Sequence, residues 1–85
     1  MLWQEGLFEA LVETAAKMPE PVRSFALRRA VEETEYRVRS SGRDVVAVAD
    51  LLGAMRNAVS RSMYNALRRV LVRRRLLSGG GNGNA

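Results

Sequence analysis

The chain has 85 residues, a formal net charge of +5, 47% hydrophobic residues and 27% charged residues, which indicates one small globular domain. It contains no cysteine and no histidine, which excludes disulfide bonds, thiolate or imidazole metal ligands, and catalysis by either side chain. No basic stretch opens the sequence, and the apolar run at residues 45–48 is far shorter than the roughly 20 residues of a membrane span. We therefore expect neither a signal peptide nor a membrane span, and a cytoplasmic location.

Charge is distributed unevenly along the chain. Residues 1–54 carry seven Lys or Arg and nine Asp or Glu, whereas residues 55–85 carry seven arginines and no acidic residue. This asymmetry predicts an acidic or nucleic-acid partner for the C-terminal part. The alternative interpretation is a solvated basic helix that only aids solubility.

The first predicted element is an amphipathic helix over residues 2–17. Its apolar stripe recurs at spacings of three and four residues: Trp3, Leu7, Phe8, Leu11, Val12 and Ala15. Glu5, Glu9, Glu13 and Lys17 lie on the opposite face, where Glu13 and Lys17 have the spacing of a helical ion pair. Trp3 falls on the apolar stripe and is predicted to anchor the core.

The second predicted element is a central helix over residues 21–40. Pro19 and Pro21, the only prolines, interrupt the preceding helix, and Gly42 supplies a residue that can end the central one. Glutamates and arginines alternate along this helix at neighbouring helical positions, which favours surface ion pairs over general acid–base chemistry.

The third predicted helix begins near residue 48 and continues to residue 77, after an extended segment at residues 45–48. Gly53 and residues 60–62 are the positions at which a bend or a break in this helix is expected, if there is one. About thirty helical residues span about 45 Å, more than two shorter helices can cover. An uncovered apolar stripe predicts self-association, through Val59, Met63, Ala66, Val70 and Leu77.

Arginines cover the remaining face of this helix. They are predicted to bind a phosphate backbone, an anionic membrane surface or an acidic protein, and they are Arg56, Arg61, Arg68, Arg69, Arg73, Arg74 and Arg75. Tyr64 is the only aromatic residue among them, so base stacking has little support. The expected fold is all-α, with three to four helices, a long basic C-terminal helix and a disordered Gly-rich tail at residues 78–85.

Several short motifs within about residues 3–55 contain Trp3, Pro19, Val22, Arg23, Glu35 and Gly42. Together these motifs resemble the PCP reductase domain, which closes the C-terminus of the B subunit of light-independent protochlorophyllide reductase. The interval from Val22 to Glu35 is about four residues longer than the family pattern, and Ala47 replaces a capping threonine. The resemblance divides the chain into a helical domain at residues 1–55, a basic helical extension at residues 56–77 and the tail.

The reductase core that performs the family's chemistry is absent from this sequence, and no motif for covalent catalysis, metal binding or cofactor binding is present. The resemblance therefore implies a non-catalytic accessory domain, without a cofactor, that binds a protein partner or itself. Another alternative is a tetrapyrrole-binding lid acting in trans with a reductase. Residues 42–51 also resemble the loop before the last histone-fold helix, which favours a small nucleic-acid-binding protein in which Arg23, Arg43 and the C-terminal arginines contact phosphates.

Overall fold

The computed structural model describes residues 1–78, and the greater part of them is helical. The elements in chain order are β1 (Leu2–Trp3), α1 (Leu7–Ala15), α2 (Val22–Ser40), β2 (Val45–Val46), α3 (Val48–Ala58) and α4 (Arg61–Arg73). The prediction of a mainly helical fold is confirmed. Most of the predicted tail, residues 79–85, lies outside the described residues.

The predicted start of the first helix at residue 2 is wrong, because residues 2 and 3 form a strand. β1 pairs in parallel with β2, placing Leu2 opposite Val45 and Trp3 opposite Val46. The N–H of Leu2 donates to the carbonyl of Asp44 at 3.2 Å, and the sheet hydrogen bonds hold this end of the chain extended. Helix α1 therefore begins only at Leu7. The predicted extended segment after α2 has a partner strand that the apolar pattern did not indicate.

The central helix is confirmed to within one residue. Glu20 Oε1 accepts a 3.1 Å hydrogen bond from the backbone N–H of Ser24, which satisfies one free donor of the first turn. At the other end, Gly42 has a φ of 75°, and the N–H of Arg43 donates to the carbonyl of Val38 at 3.1 Å. This is a Schellman ending, which glycine adopts without strain.

The predicted third helix is divided in two, because the chain breaks at Val59 and Ser60, beside the possible break predicted at residues 60–62. Both residues are extended, with ψ values of 171° and 156°. The Ser60 hydroxyl accepts a 3.2 Å hydrogen bond from the N–H of Met63 and so caps a new helix, α4. The break turns α4 back onto the molecule, where it packs against α1.

This packing buries the stripe that was predicted to be uncovered. Met63 and Val70 are each 4% exposed and belong to the core, while Val59 and Leu77 pack against it and Ala66 is half-buried. The expectation that this stripe is uncovered is therefore wrong, because its side chains pack within the chain. The core comprises Leu7, Ala10, Leu11, Ala15, Ala30, Val38, Val46, Leu51, Met55, Met63, Leu67, Val70 and Leu71.

The same core extends across the predicted boundary at residue 55. Leu67 and Leu71 are completely buried together with side chains of α1, α2 and α3. Residues 56–77 are thus part of one core with residues 1–55 and do not extend away from it. No helix within residues 1–78 has the length and apolar character to cross a membrane.

Candidate nucleic-acid interface

The seven C-terminal arginines divide into groups with different surroundings. Arg74 donates from Nε to Oε1 of Glu13 at 2.9 Å, and Arg73 forms an ion pair with the other oxygen of the same carboxylate. These two arginines connect the end of α4 to α1, and Arg74 and Glu13 are 61 positions apart in the chain. Glu13, expected to pair with Lys17 on its own helix, pairs instead with α4.

A second group of arginines lies on both sides of the break between α3 and α4. Arg56 lies in the last turn of α3, and Arg61, Arg68 and Arg69 lie on α4. All four are exposed, and among residues 1–78 no carboxylate lies within 4.0 Å of any of them. We call these four residues the arginine face.

The sequence limits the counter-ions available to the arginine face. The last acidic side chain in the chain is Asp50, so neither α4 nor the tail can supply an internal counter-ion from a side chain. Arg61 also lies in the first turn of α4, where the positive end of the helix dipole disfavours a cation. Both effects favour an external anion at this end of α4.

The arginine face includes an open cleft of about 310 Å³ lined by Arg56, Arg61, Tyr64 and Asn65. Positions 61, 64, 65 and 68 share one side of α4 because they are spaced by three, four and seven residues. Met63 and Leu67 occupy the opposite, buried side. The helix break thus brings Arg56 of α3 beside the first two turns of α4.

The pKa of Tyr64 reflects the positive charge around the cleft. Interaction with the guanidinium group of Arg56, and then with that of Arg68, lowers the pKa of Tyr64 below its usual value, although partial burial opposes the shift. Two cations near one half-buried hydroxyl indicate a local positive potential. The sequence predicted that these arginines bind a partner, but it did not predict that Arg56 and Arg68 both lie close to Tyr64.

Arg75 stands apart from both groups. It has a φ of 63°, and the N–H of Leu76 donates to the carbonyl of Leu71 at 2.8 Å. This is a second Schellman ending, here formed without glycine. The position of Arg75 is therefore set by the end of α4, and it is not counted in the arginine face.

Two other arginines that the histone-like alternative assigned to phosphates are engaged within the chain. Arg23 contacts the Glu20 carboxylate at 3.2 Å. Arg43 forms a bidentate pair with Asp50, with distances of 3.0 Å from Nη1 to Oδ2 and 2.6 Å from Nη2 to Oδ1. Asp50 also accepts from the N–H of Ala47 at 2.9 Å, so this pair orders the start of α3.

The motif residues of the PCP reductase resemblance are partly brought together. Trp3 contacts Glu35 through a 2.8 Å hydrogen bond, whereas Val22 is exposed at the start of α2 and Gly42 lies at its end. They do not form a common pocket with the arginine face. Comparisons with models of protein families, with curated proteins and with solved structures find no match.

Within residues 1–78, no group of three or more acidic side chains is arranged to hold a metal ion. The one buried carboxylate, Asp50, uses both oxygens for Arg43 and Ala47. The arginine face is a positively charged surface of exposed guanidinium groups around an open cleft.

Proposed function

We propose that this chain is a non-catalytic interaction domain that binds nucleic acid through the arginine face. The observation that carries the proposal is the set of four exposed arginines around the α3–α4 break with no carboxylate within ion-pair distance among the described residues. Guanidinium groups donate bidentate hydrogen bonds to phosphate oxygens, and release of counter-ions from nucleic acid favours binding.

The contacts are directed mainly at the backbone of the nucleic acid. Tyr64 is the one aromatic side chain in the cleft, and it is half-buried between arginines. Sequence-specific recognition of single strands usually needs several exposed aromatic rings on which bases stack. We therefore propose phosphate-directed binding with little preference for sequence.

The test is binding of a 20-base-pair DNA duplex, measured by fluorescence anisotropy over a series of salt concentrations. Four phosphate contacts predict a log–log salt slope of about −3.6. The double variant R61Q/R68Q should weaken binding and reduce the magnitude of the slope by about two units. Absence of binding at low salt would rule out the proposal.

The matched control is K17Q/R28Q, which removes the same net charge from two exposed positions, one just after α1 and one on α2. It should retain most of the affinity and of the salt slope. Equal losses in both double variants would show that net charge alone, and not the arginine face, attracts the duplex. A duplex of different sequence should bind with similar affinity.

A second candidate is an accessory domain of the PCP reductase type, and the contact between Trp3 and Glu35 favours it. Two residues that carry the resemblance meet although they are 32 positions apart. Its test is addition of this chain to a protochlorophyllide reductase that lacks its own C-terminal domain. Restored turnover supports the accessory role. Quenching of Trp3 fluorescence by protochlorophyllide supports the tetrapyrrole-lid version.

A further inference from the structure

The outward side of α2 carries large apolar side chains that no other part of the described chain covers. Phe25 is 64% exposed, Tyr36 is 66% exposed and Val22 is 53% exposed. The opposite side of the helix holds the buried residues Ala30 and Thr34. Phe25 and Tyr36 are separated by about three helical turns and therefore lie in one row.

This row has the spacing of a coiled-coil seam. Its positions alternate by three and four residues, as a and d positions do in a heptad repeat, and they are Val22, Phe25, Arg29, Glu32, Tyr36 and Arg39. Arg29 and Glu32 occupy the middle, and neither forms an ion pair within residues 1–78. We call these six residues the α2 seam.

The α2 seam is symmetric about the midpoint between residues 30 and 31. In an antiparallel arrangement with a second copy, position 25 meets position 36, position 29 meets position 32, and position 22 meets position 39. Phe25 then packs on the second copy's Tyr36, and Arg29 pairs with the second copy's Glu32. A two-fold axis repeats each contact, so the surface is complementary to itself.

We propose that a second copy of this chain occupies the α2 seam, forming an antiparallel, two-fold symmetric dimer. The charge pattern selects this arrangement, since a parallel dimer in register places Arg29 against Arg29 and Glu32 against Glu32. In the antiparallel arrangement each charge meets its opposite between two aromatic contacts. This proposal does not depend on nucleic-acid binding, because it uses a different helix from the arginine face.

The length of the α2 seam determines how tightly the dimer is expected to bind. Helix α2 has 19 residues, which corresponds to about 28 Å of length. A single pair of helices of this length lies at the low end of specific interfaces, so we expect a reversible dimer with a dissociation constant of about 1–100 μM. The chain should therefore be monomeric at nanomolar concentration and dimeric near millimolar concentration.

Sedimentation equilibrium over this concentration range tests the proposal. The average mass should rise from 9.4 kDa toward about twice that value. The variant F25A/Y36A should remain monomeric throughout, while its circular dichroism stays that of the parent because both side chains are exposed. L2A is the matched control, since Leu2 is 70% exposed on β1, and it should dimerise like the parent.

A charge exchange tests the antiparallel arrangement itself. R29E and E32R should each weaken the dimer about tenfold or more, because each places like charges opposite one another at two symmetric points. An equimolar mixture of R29E and E32R should form a heterodimer, since every central pair then joins opposite charges. The double variant R29E/E32R should dimerise with nearly the parent affinity.

Each of the following results would overturn the proposal. A parent chain that stays at 9.4 kDa up to about 1 mM has no such dimer. A dimer that survives in F25A/Y36A uses another surface, as does a dimer that L2A dissociates. Single charge variants that dimerise as well as the parent, or that do not recover on mixing, exclude the antiparallel register.

Discussion

The indole Nε1 of Trp3 donates a 2.8 Å hydrogen bond to Oε2 of Glu35 and thereby joins β1 to the middle of α2. The ring of Phe8 meets the indole edge to face, with centroids 5.3 Å apart and an interplanar angle of 83°. Such an arrangement is favourable between aromatic rings. Trp3 thus holds three elements together: the strand in which it lies, α1 through Phe8, and α2 through Glu35.

Replacement of Glu35 should release this connection. We expect Glu35→Leu to lower the free energy of unfolding by about 1–2 kcal/mol, since the bond to a carboxylate is lost at a partly buried site. Glu35→Gln keeps an acceptor and should cost less. Urea unfolding followed by the fluorescence of Trp3, the only tryptophan, measures both variants. Equal effects of the two variants would contradict a role for the hydrogen bond.

The pair of Arg43 and Asp50 predicts a dependence of stability on pH. The hydrogen bonds from Arg43, assisted by the N–H of Ala47, lower the pKa of Asp50 although burial opposes the shift. A carboxyl whose pKa is lower in the folded state stabilises the fold above its unfolded pKa of about 3.9. That contribution is lost as the pH falls through the folded-state pKa.

We therefore expect Asp50→Asn to lower the free energy of unfolding by about 1–3 kcal/mol at pH 7. The difference from the parent should shrink as the pH falls below about 4. Asp44→Asn, at an exposed position, is the control for net charge and should have little effect. Urea unfolding at several pH values measures this, and a difference that persists unchanged at pH 2 would contradict the prediction.

The burial of Leu67 predicts that α4 is essential to the fold. Leu67 is completely buried, so Leu67→Ala should cost about 2–5 kcal/mol, a large part of the stability of a domain of this size. Leu67→Val provides a milder variant that should still fold. Arg69→Ala, on the exposed side of the same helix, should change stability by less than about 0.5 kcal/mol.

Thermal unfolding followed by circular dichroism measures these three variants. A single transition that moves to lower temperature in both Leu67 variants indicates one cooperative unit. If Leu67→Ala were as stable as Arg69→Ala, α4 would be a separate arm, as the sequence alone predicted.

Substitutions at the two Schellman endings should change the free energy of unfolding in opposite directions. Gly42 has a φ of 75°, and apart from its two chain neighbours no described residue has an atom within 4 Å of the place where a Cβ would stand. Gly42→Ala should therefore cost about 1 kcal/mol from backbone strain alone. Arg75 has a φ of 63° and bears that strain already. Arg75→Gly should therefore raise the free energy of unfolding by about 0.5–1 kcal/mol. Urea unfolding measures both changes, and the same sign for both would contradict this explanation.

The sequence by itself determined the features that depend on neighbouring residues. The limits of α2 follow from two prolines before it and Gly42 after it, since these residues restrict or permit backbone angles locally. The lack of cysteine and histidine excluded whole classes of chemistry from composition alone. The acid-free C-terminal part likewise identified the arginines from which the candidate site is built.

The tertiary structure decided what depends on residues far apart in the chain. Trp3 has helical spacing with Leu7, but its strand is set by hydrogen bonds to residues 44–46. The apolar period of α3 runs on into α4, yet Ser60 caps a new helix because α1 offers a surface to bury. Local periodicity is the same in a continuous and a broken helix, and only packing distinguishes them. That packing pairs Arg73 and Arg74 with Glu13 and leaves the arginine face free of internal carboxylate partners within the described residues.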